Sequence, residues 1–82
     1  MDEKLFLSNI SVGESCVVKF VQGEGQIKRR LFDMGVTPGA NITVIKKAPL
    51  GDPIQIFIRN YDLSLRNAEA SCIVVERIEV AK

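Results

Sequence analysis

Apolar residues fall mostly on alternate positions along this chain, in short runs divided by turn residues. Cys16-Val17-Val18-Lys19-Phe20-Val21 is rich in β-branched side chains and predicts a strand, with Cys16, Val18 and Phe20 on one face and Val17, Lys19 and Val21 on the other. Ile42–Lys47 predicts a second. Ile54, Ile56 and Ile58 alternate through a third run, Ile54–Arg59. Leu63–Arg66 is a short strand, and Cys72–Glu76 closes the chain, with Ile78 and Val80 carrying the alternation on. Ahead of these, Leu5, Leu7 and Ile10 anchor a lead-in strand or turn.

One segment changes period. Ile27, Leu31 and Met34 stand at i, i+4 and i+7, the spacing of one helical stripe, so a helix is expected from about Gln26 to Met34. Arg29 and Asp33 are four apart and can pair on its wet side. Gly35 stands where a left-handed residue ends a helix, because glycine has no Cβ to clash there. Thr37-Pro38-Gly39-Ala40 suits a type II turn, with proline fixing φ at its second position and glycine supplying positive φ at its third. Gly35, Pro38 and Gly39 are therefore structural turn residues. Ser11–Ser15, Ala48–Pro53 and Asn60-Tyr61-Asp62 read as further turns or loops, and Asn67–Ser71 as a single helical turn. The sum is a mostly β fold. It is a small barrel or sandwich of five to six short strands, with one inserted amphipathic helix at about 26–34 and a short helical turn near 67–71.

Composition narrows the function. The 82 residues suit a single domain, 1–82. A formal charge of +1, with its cations spread along the chain, argues against nucleic acid as the main partner, since phosphate neutralisation needs a concentrated basic face. Neither a signal peptide nor a run of about 20 apolar residues is present, which points to a cytoplasmic chain with no direct membrane insertion.

Catalytic apparatus is hard to find. There is no histidine, so nucleophile arrangements that need one are excluded within this chain. Gly23-Glu24-Gly25 ahead of the helix lacks the third glycine of a dinucleotide fingerprint and reads as a loop. No cofactor and no enzyme activity are expected. Cys16 and Cys72 are the candidate soft-metal ligands, but two thiolates cannot complete a structural zinc site, and both stand in phase with apolar neighbours as packed residues do. Lys28-Arg29-Arg30 is either a solvated helix face or a contact for an acidic partner. Pro49-Leu50-Gly51-Asp52-Pro53 is either a rigid connection or a binding loop.

Taken in order, RRLFDMGVTPG, KKAPLGDPIQIFIRN and LSLRNAEASCIVVE resemble the FeoA family, ferrous iron transport protein A, from about Leu7 to Glu76. The family positions fall on Arg30, Leu31, Met34, Gly35, Pro38, Gly39, Pro49, Leu50, Gly51, Asp52, Pro53, Glu69 and Ala70. Asn60 departs from the pattern where glycine is usual; asparagine also enters the left-handed region, so the turn should survive. The resemblance implies an SH3-like barrel, similar also to the C-terminal domain of DtxR-type repressors. It further implies a cytosolic adapter for the membrane transporter FeoB, docking to its cytoplasmic part and influencing its nucleotide cycle. Arg29, Arg30 and the loop Pro49, Leu50, Gly51, Asp52 and Pro53 are the candidate partner-binding residues on this reading. The alternative is a metal- or redox-sensing regulatory module that binds a transition metal. Self-association through exposed strand edges is compatible with either.

Overall fold

The computed structural model describes residues 4–23 and 25–78. Six strands form one antiparallel sheet: β1 (Leu5–Phe6), β2 (Ser15–Val21), β3 (Asn41–Lys47), β4 (Ile54–Ile58), β5 (Tyr61–Leu65) and β6 (Ile73–Arg77). Helix α1 (Gln26–Asp33) is inserted between β2 and β3, and a one-turn helix, α2 (Asn67–Ala70), between β5 and β6. A 3-10 turn at Leu7–Asn9 links β1 to the Ser11–Ser15 turn. The spatial order is β1-β6-β2-β3-β4-β5, so the last strand lies between the first two.

The alternation read from the sequence sets the inner face. Cys16, Val18, Ile42, Val44, Ile54, Ile56, Ile58, Leu65, Ile73 and Val75 are all buried, and they join Leu7, Ile10, Leu31, Val36 and Ala70 in one core. One cluster drawing on every strand from β2 to β6 requires a curved sheet. The curvature coincides with two bulges, between Val18 and Phe20 on β2 and between Val44 and Lys46 on β3.

The β2 bulge corrects one expectation. Alternation puts Phe20 beside Cys16 and Val18, yet Val21 is the buried residue and Phe20 is 42% exposed. The extra residue, Lys19, flips the strand's phase. Phe20 instead lies opposite Val74, which is also opposite Phe6 on the other side, and Lys4 Nζ stands 5.9 Å from the Phe20 ring centre. This small outer cluster explains why three successive residues of β6 are buried.

The β4–β5 connection is tighter than expected. Arg59 and Asn60 alone form the turn, at φ 49° and 70°, and Tyr61 and Asp62 already belong to β5. Positive φ at both central residues is the type I′ geometry that matches strand twist. Asn60 therefore enters the left-handed region as expected, and Arg59 does so as well. Of the helix stripe, Leu31 is buried and Met34 half-buried, whereas Ile27 is 43% exposed. Ile78 is exposed, and Val80 lies outside the described residues.

Candidate partner-docking surface

Helix α1 ends in a closed hydrogen-bond arrangement. Gly35, at φ 93°, donates its N–H to the Phe32 carbonyl at 3.0 Å, and Val36 donates to Leu31 at 2.9 Å. These two bonds define a Schellman stop, and both members of its apolar contact, Leu31 and Val36, are fully buried. The expected turn follows: Ala40 donates to the Thr37 carbonyl at 3.0 Å, with Gly39 at φ 93°.

The β4–β5 hairpin then grips this end. Arg59 Nε donates to the Gly35 carbonyl at 2.9 Å and its Nη2 to Thr37 Oγ1 at 2.7 Å. The Tyr61 hydroxyl donates to the Met34 carbonyl. Carbonyls that a helix leaves without partners are thereby satisfied from another element.

The helix cations have different surroundings. Lys28, Arg29, Phe32 and Asp33 line a shallow depression with Gly25, and Lys28 Nζ lies 5.9 Å from the Phe32 ring centre. Arg29 and Asp33 do not pair. The ion pair made by α1 is Arg30 Nη1 to Glu69 Oε2, at 3.5 Å. Glu69 is 6% exposed, and its other oxygen accepts the Arg66 N–H at 2.9 Å, closing the first turn of α2. A buried carboxylate needs such partners.

The loop after β3 reaches the same small helix. Gly51 donates to the Ala48 carbonyl at 2.7 Å and Ala48 to the Pro53 carbonyl at 3.0 Å, which closes the loop on itself. Pro49 and Leu50 occupy its tip, and Leu50 is 95% exposed. Pro53 is exposed and Gly51, at φ 83°, half-buried. Asp52 Oδ1 accepts the Asn67 N–H at 3.0 Å, at the start of α2. Arg30 and Asp52, from two stretches far apart in sequence, are thus both tied to the N-terminal turn of α2, a helix only about 6 Å long at 1.5 Å per residue. Arg66, exposed at the start of α2, belongs to this surface and was not singled out from sequence. Its signal was available: it directly precedes a helical turn whose third residue, Glu69, is acidic.

The cysteines are not brought together. Cys16 pairs with Arg77 near the start of β2, whereas Cys72 accepts a bond from Gln22 just beyond its end. Six residues of strand separate these points, roughly 20 Å. Cys16 is fully buried; burial, with the Glu14 carboxylate adding to it, pushes its thiol up to about 11 from an ordinary 9.0. Cys72 is half-buried, 3.5 Å from the Ala68 carbonyl. Among the described residues no group of three His, Cys, Asp or Glu side chains gathers as a metal site. No described helix is long and apolar enough to cross a membrane.

The geometry defines a small β domain whose exposed loop and helix face are held rigid around α2. The FeoA domain family matches residues 6–77, and the chain belongs to this family, which is involved in ferrous iron transport. The chain is 40% identical over 72 residues to a fusion of Fe(2+) transport protein A with the Fe(2+) transporter FeoB from Porphyromonas gingivalis. That match takes in 88% of this chain and 8% of the fusion protein, so the chain spans a small part of that relative. Among solved structures, a FeoA-like protein from Clostridium acetobutylicum is 34% identical, with a TM-score of 0.88 over 100% of this chain and 95% of that one. FeoA of Stenotrophomonas maltophilia, a prokaryotic SH3-domain protein solved with zinc, is 30% identical, with a TM-score of 0.78 over 88% of this chain and 89% of that one. The fold is accordingly SH3-like. A manganese-dependent transcriptional repressor superposes at a TM-score of 0.85 over 95% of this chain and 38% of its own. At 16% identity that likeness is one of fold alone.

Proposed function

We propose that this protein is a non-enzymatic, cytoplasmic accessory of ferrous iron uptake, which docks on the cytoplasmic part of a FeoB-type transporter and influences its nucleotide cycle. The observation that carries the reading is the fusion relative, in which a segment 40% identical to this chain shares one polypeptide with a FeoB transporter. Covalent linkage of two modules raises their effective concentration, an arrangement that favours partners which also associate when separate. The exposed helix and loop around α2 supply a surface of the kind docking needs, with Arg29, Arg30 and the Pro49–Pro53 loop as its contact residues.

The test is a calorimetric titration of this chain against the isolated cytoplasmic part of a FeoB-type transporter, followed by its rate of GTP hydrolysis with and without the chain. A saturable complex and a changed rate are expected. Absence of any complex removes the docking reading, whereas a complex with an unchanged rate removes its nucleotide-cycle part.

A second reading, a metal-sensing module, draws on the zinc bound by the Stenotrophomonas relative. The distance between Cys16 and Cys72 means that metal would have to use each with other ligands. Titrating the reduced chain with iron(II) and zinc(II) separates the two readings, since stoichiometric uptake favours the sensor.

A further inference from the structure

We propose that the outer edge of β5 pairs with the same edge of a second copy of this chain, antiparallel and centred on Leu63, in a reversible symmetric dimer. This association is separate from docking on a transporter and uses none of the Pro49–Pro53 loop. β5 pairs with β4 alone and ends the sheet. Ile58 and Tyr61 flank the two-residue turn, so they exchange backbone bonds, and every second pair along an antiparallel ladder does the same. Tyr61, Leu63 and Leu65 therefore turn their backbone groups to β4, whereas Asp62 and Ser64 turn theirs outward. Both are exposed, and their outward groups have no backbone partner among the described residues. The turn after α1 meets the hairpin through the Arg59 and Tyr61 side chains, which leaves these groups unbonded.

The opposite edge of the sheet is closed. β1 has two residues, and Asn9 Oδ1 already accepts the Phe6 N–H at 3.1 Å. The five residues of β5 are thus the edge that an incoming strand can extend.

The side chains along that edge select a second copy as the occupant. Asp62, Ser64 and Arg66 follow one another on the outer face, since Arg66 keeps an extended backbone at φ −74° and ψ 150°. A two-fold axis at Leu63 sets Asp62 of each copy opposite Ser64 of the other, where the two residues exchange both backbone bonds. In the same register Arg66 of the second copy lies diagonal to Asp62, within reach of a long side chain. Among the described residues Arg66 makes no ion pair, and the Asp62 carboxylate accepts only a 3.5 Å bond from Gln55 Nε2. One strand thus carries both halves of an ion pair that the axis forms twice. Neighbouring registers are worse. An axis at Asp62 sets two carboxylates face to face, and an axis at Ser64 needs the Arg66 N–H, which Glu69 already holds. So short an edge suits a weak, concentration-dependent dimer rather than a permanent one.

The experiment is sedimentation equilibrium of the full chain up to millimolar concentration, with each variant first checked for a parent-like circular-dichroism spectrum and melting midpoint. The parent is expected to show a monomer–dimer equilibrium. Ser64→Pro removes an outward N–H and no bond to β4, a change edge strands tolerate, and should abolish the dimer. Asp62→Arg and Arg66→Asp should each weaken dimerisation by about tenfold. The double variant, Asp62→Arg with Arg66→Asp, should return it to within a few-fold of the parent, and this charge exchange decides the matter even if Ser64→Pro fails to fold. A parent that stays monomeric at millimolar concentration, or a dimer indifferent to the charge exchange, overturns the proposal. A monomeric parent whose binding to a FeoB-type cytoplasmic fragment is lost in folded Ser64→Pro overturns it in favour of an extended segment of that partner.

Discussion

Glu69 and Cys16 show how burial decides what a polar side chain can do. Glu69 is 6% exposed and divides its two oxygens between the Arg30 guanidinium and the Arg66 N–H. Because Arg30 is largely solvated, the pair itself contributes within the roughly 0.2–1 kcal/mol range of exposed pairs. Arg30→Ala should therefore lower stability by no more than about 1 kcal/mol. Glu69→Ala should cost more, about 1–2 kcal/mol, since it also removes the acceptor that caps the part-buried Arg66 N–H. Urea denaturation of both variants checks the order. Arg30→Glu would set a second carboxylate against a buried one, so its effect on binding cannot be separated from its effect on folding. Cys16 gives a pH dependence of known sign. Its folded pKa of about 11 lies above its ordinary 9.0, so the unfolded chain ionises first as pH rises. This residue leaves stability unaffected below pH 9.0, then subtracts from it up to about 11, by about 1.4 kcal/mol per pH unit. Cys16→Val should flatten that alkaline fall measured by denaturation at several pH values. In the folded protein at pH 8, a thiol reagent should modify Cys72 quickly and Cys16 only on unfolding.

At the scale of elements, α1 is held more by what grips its C-terminus than by what it buries, since Leu31 is its one fully buried side chain among eight residues. Gly35→Val places a β-branched side chain at φ 93°, where an added Cβ would lie 3.0 Å from Arg59 Cδ. The left-handed penalty alone predicts a loss of about 1–2 kcal/mol, read as a lowered melting midpoint; no change would contradict the Schellman assignment. Arg59 separates two opposing effects, because it bonds Gly35 and Thr37 yet sits at positive φ. Arg59→Ala loses the bonds and keeps the strain, whereas Arg59→Gly loses both. The glycine variant should therefore be more stable than the alanine variant by about 1 kcal/mol. These elements also mark where sequence reasoning works and where it stops. Gly35, Pro38 and Gly39 were legible because each answers a local backbone demand. The strands were legible because their inner residues repeat with period two. Phe20 was misplaced because a bulge flips that period and leaves no mark of its own in a β-branched run. The Arg29–Asp33 pair was a sound local expectation that does not form, and the pair that does form joins Arg30 to a buried carboxylate 39 positions away in the chain. Tertiary contacts of that kind also united the two candidate stretches, and no spacing rule reaches so far.

The whole molecule is tied together by β6, which enters last and lies between β1 and β2. Every strand from β2 to β6 contributes to one core, and α1 and α2 each add a fully buried residue to it, Leu31 and Ala70. Among the described residues no part buries its apolar face alone. The chain's length also falls in the range where all-or-none unfolding is usual. The sequence supplies an internal probe, since Tyr61 is the one tyrosine and there is no tryptophan. Its hydroxyl reaches the Met34 carbonyl, so tyrosine fluorescence reports the grip of the hairpin on α1, while far-UV circular dichroism reports the sheet. The two signals should follow the same urea curve. Tyr61→Phe should shift the circular-dichroism midpoint only slightly, by about 0.5–1 kcal/mol, because water can replace the lost donor at this exposed site. If the tyrosine signal of the parent chain changed before the sheet melted, α1 would be a separately opening unit. The surface around α2 would then change shape through Arg30 before the core did, and the rigidity that suits Leu50 to docking would reside in the loop alone.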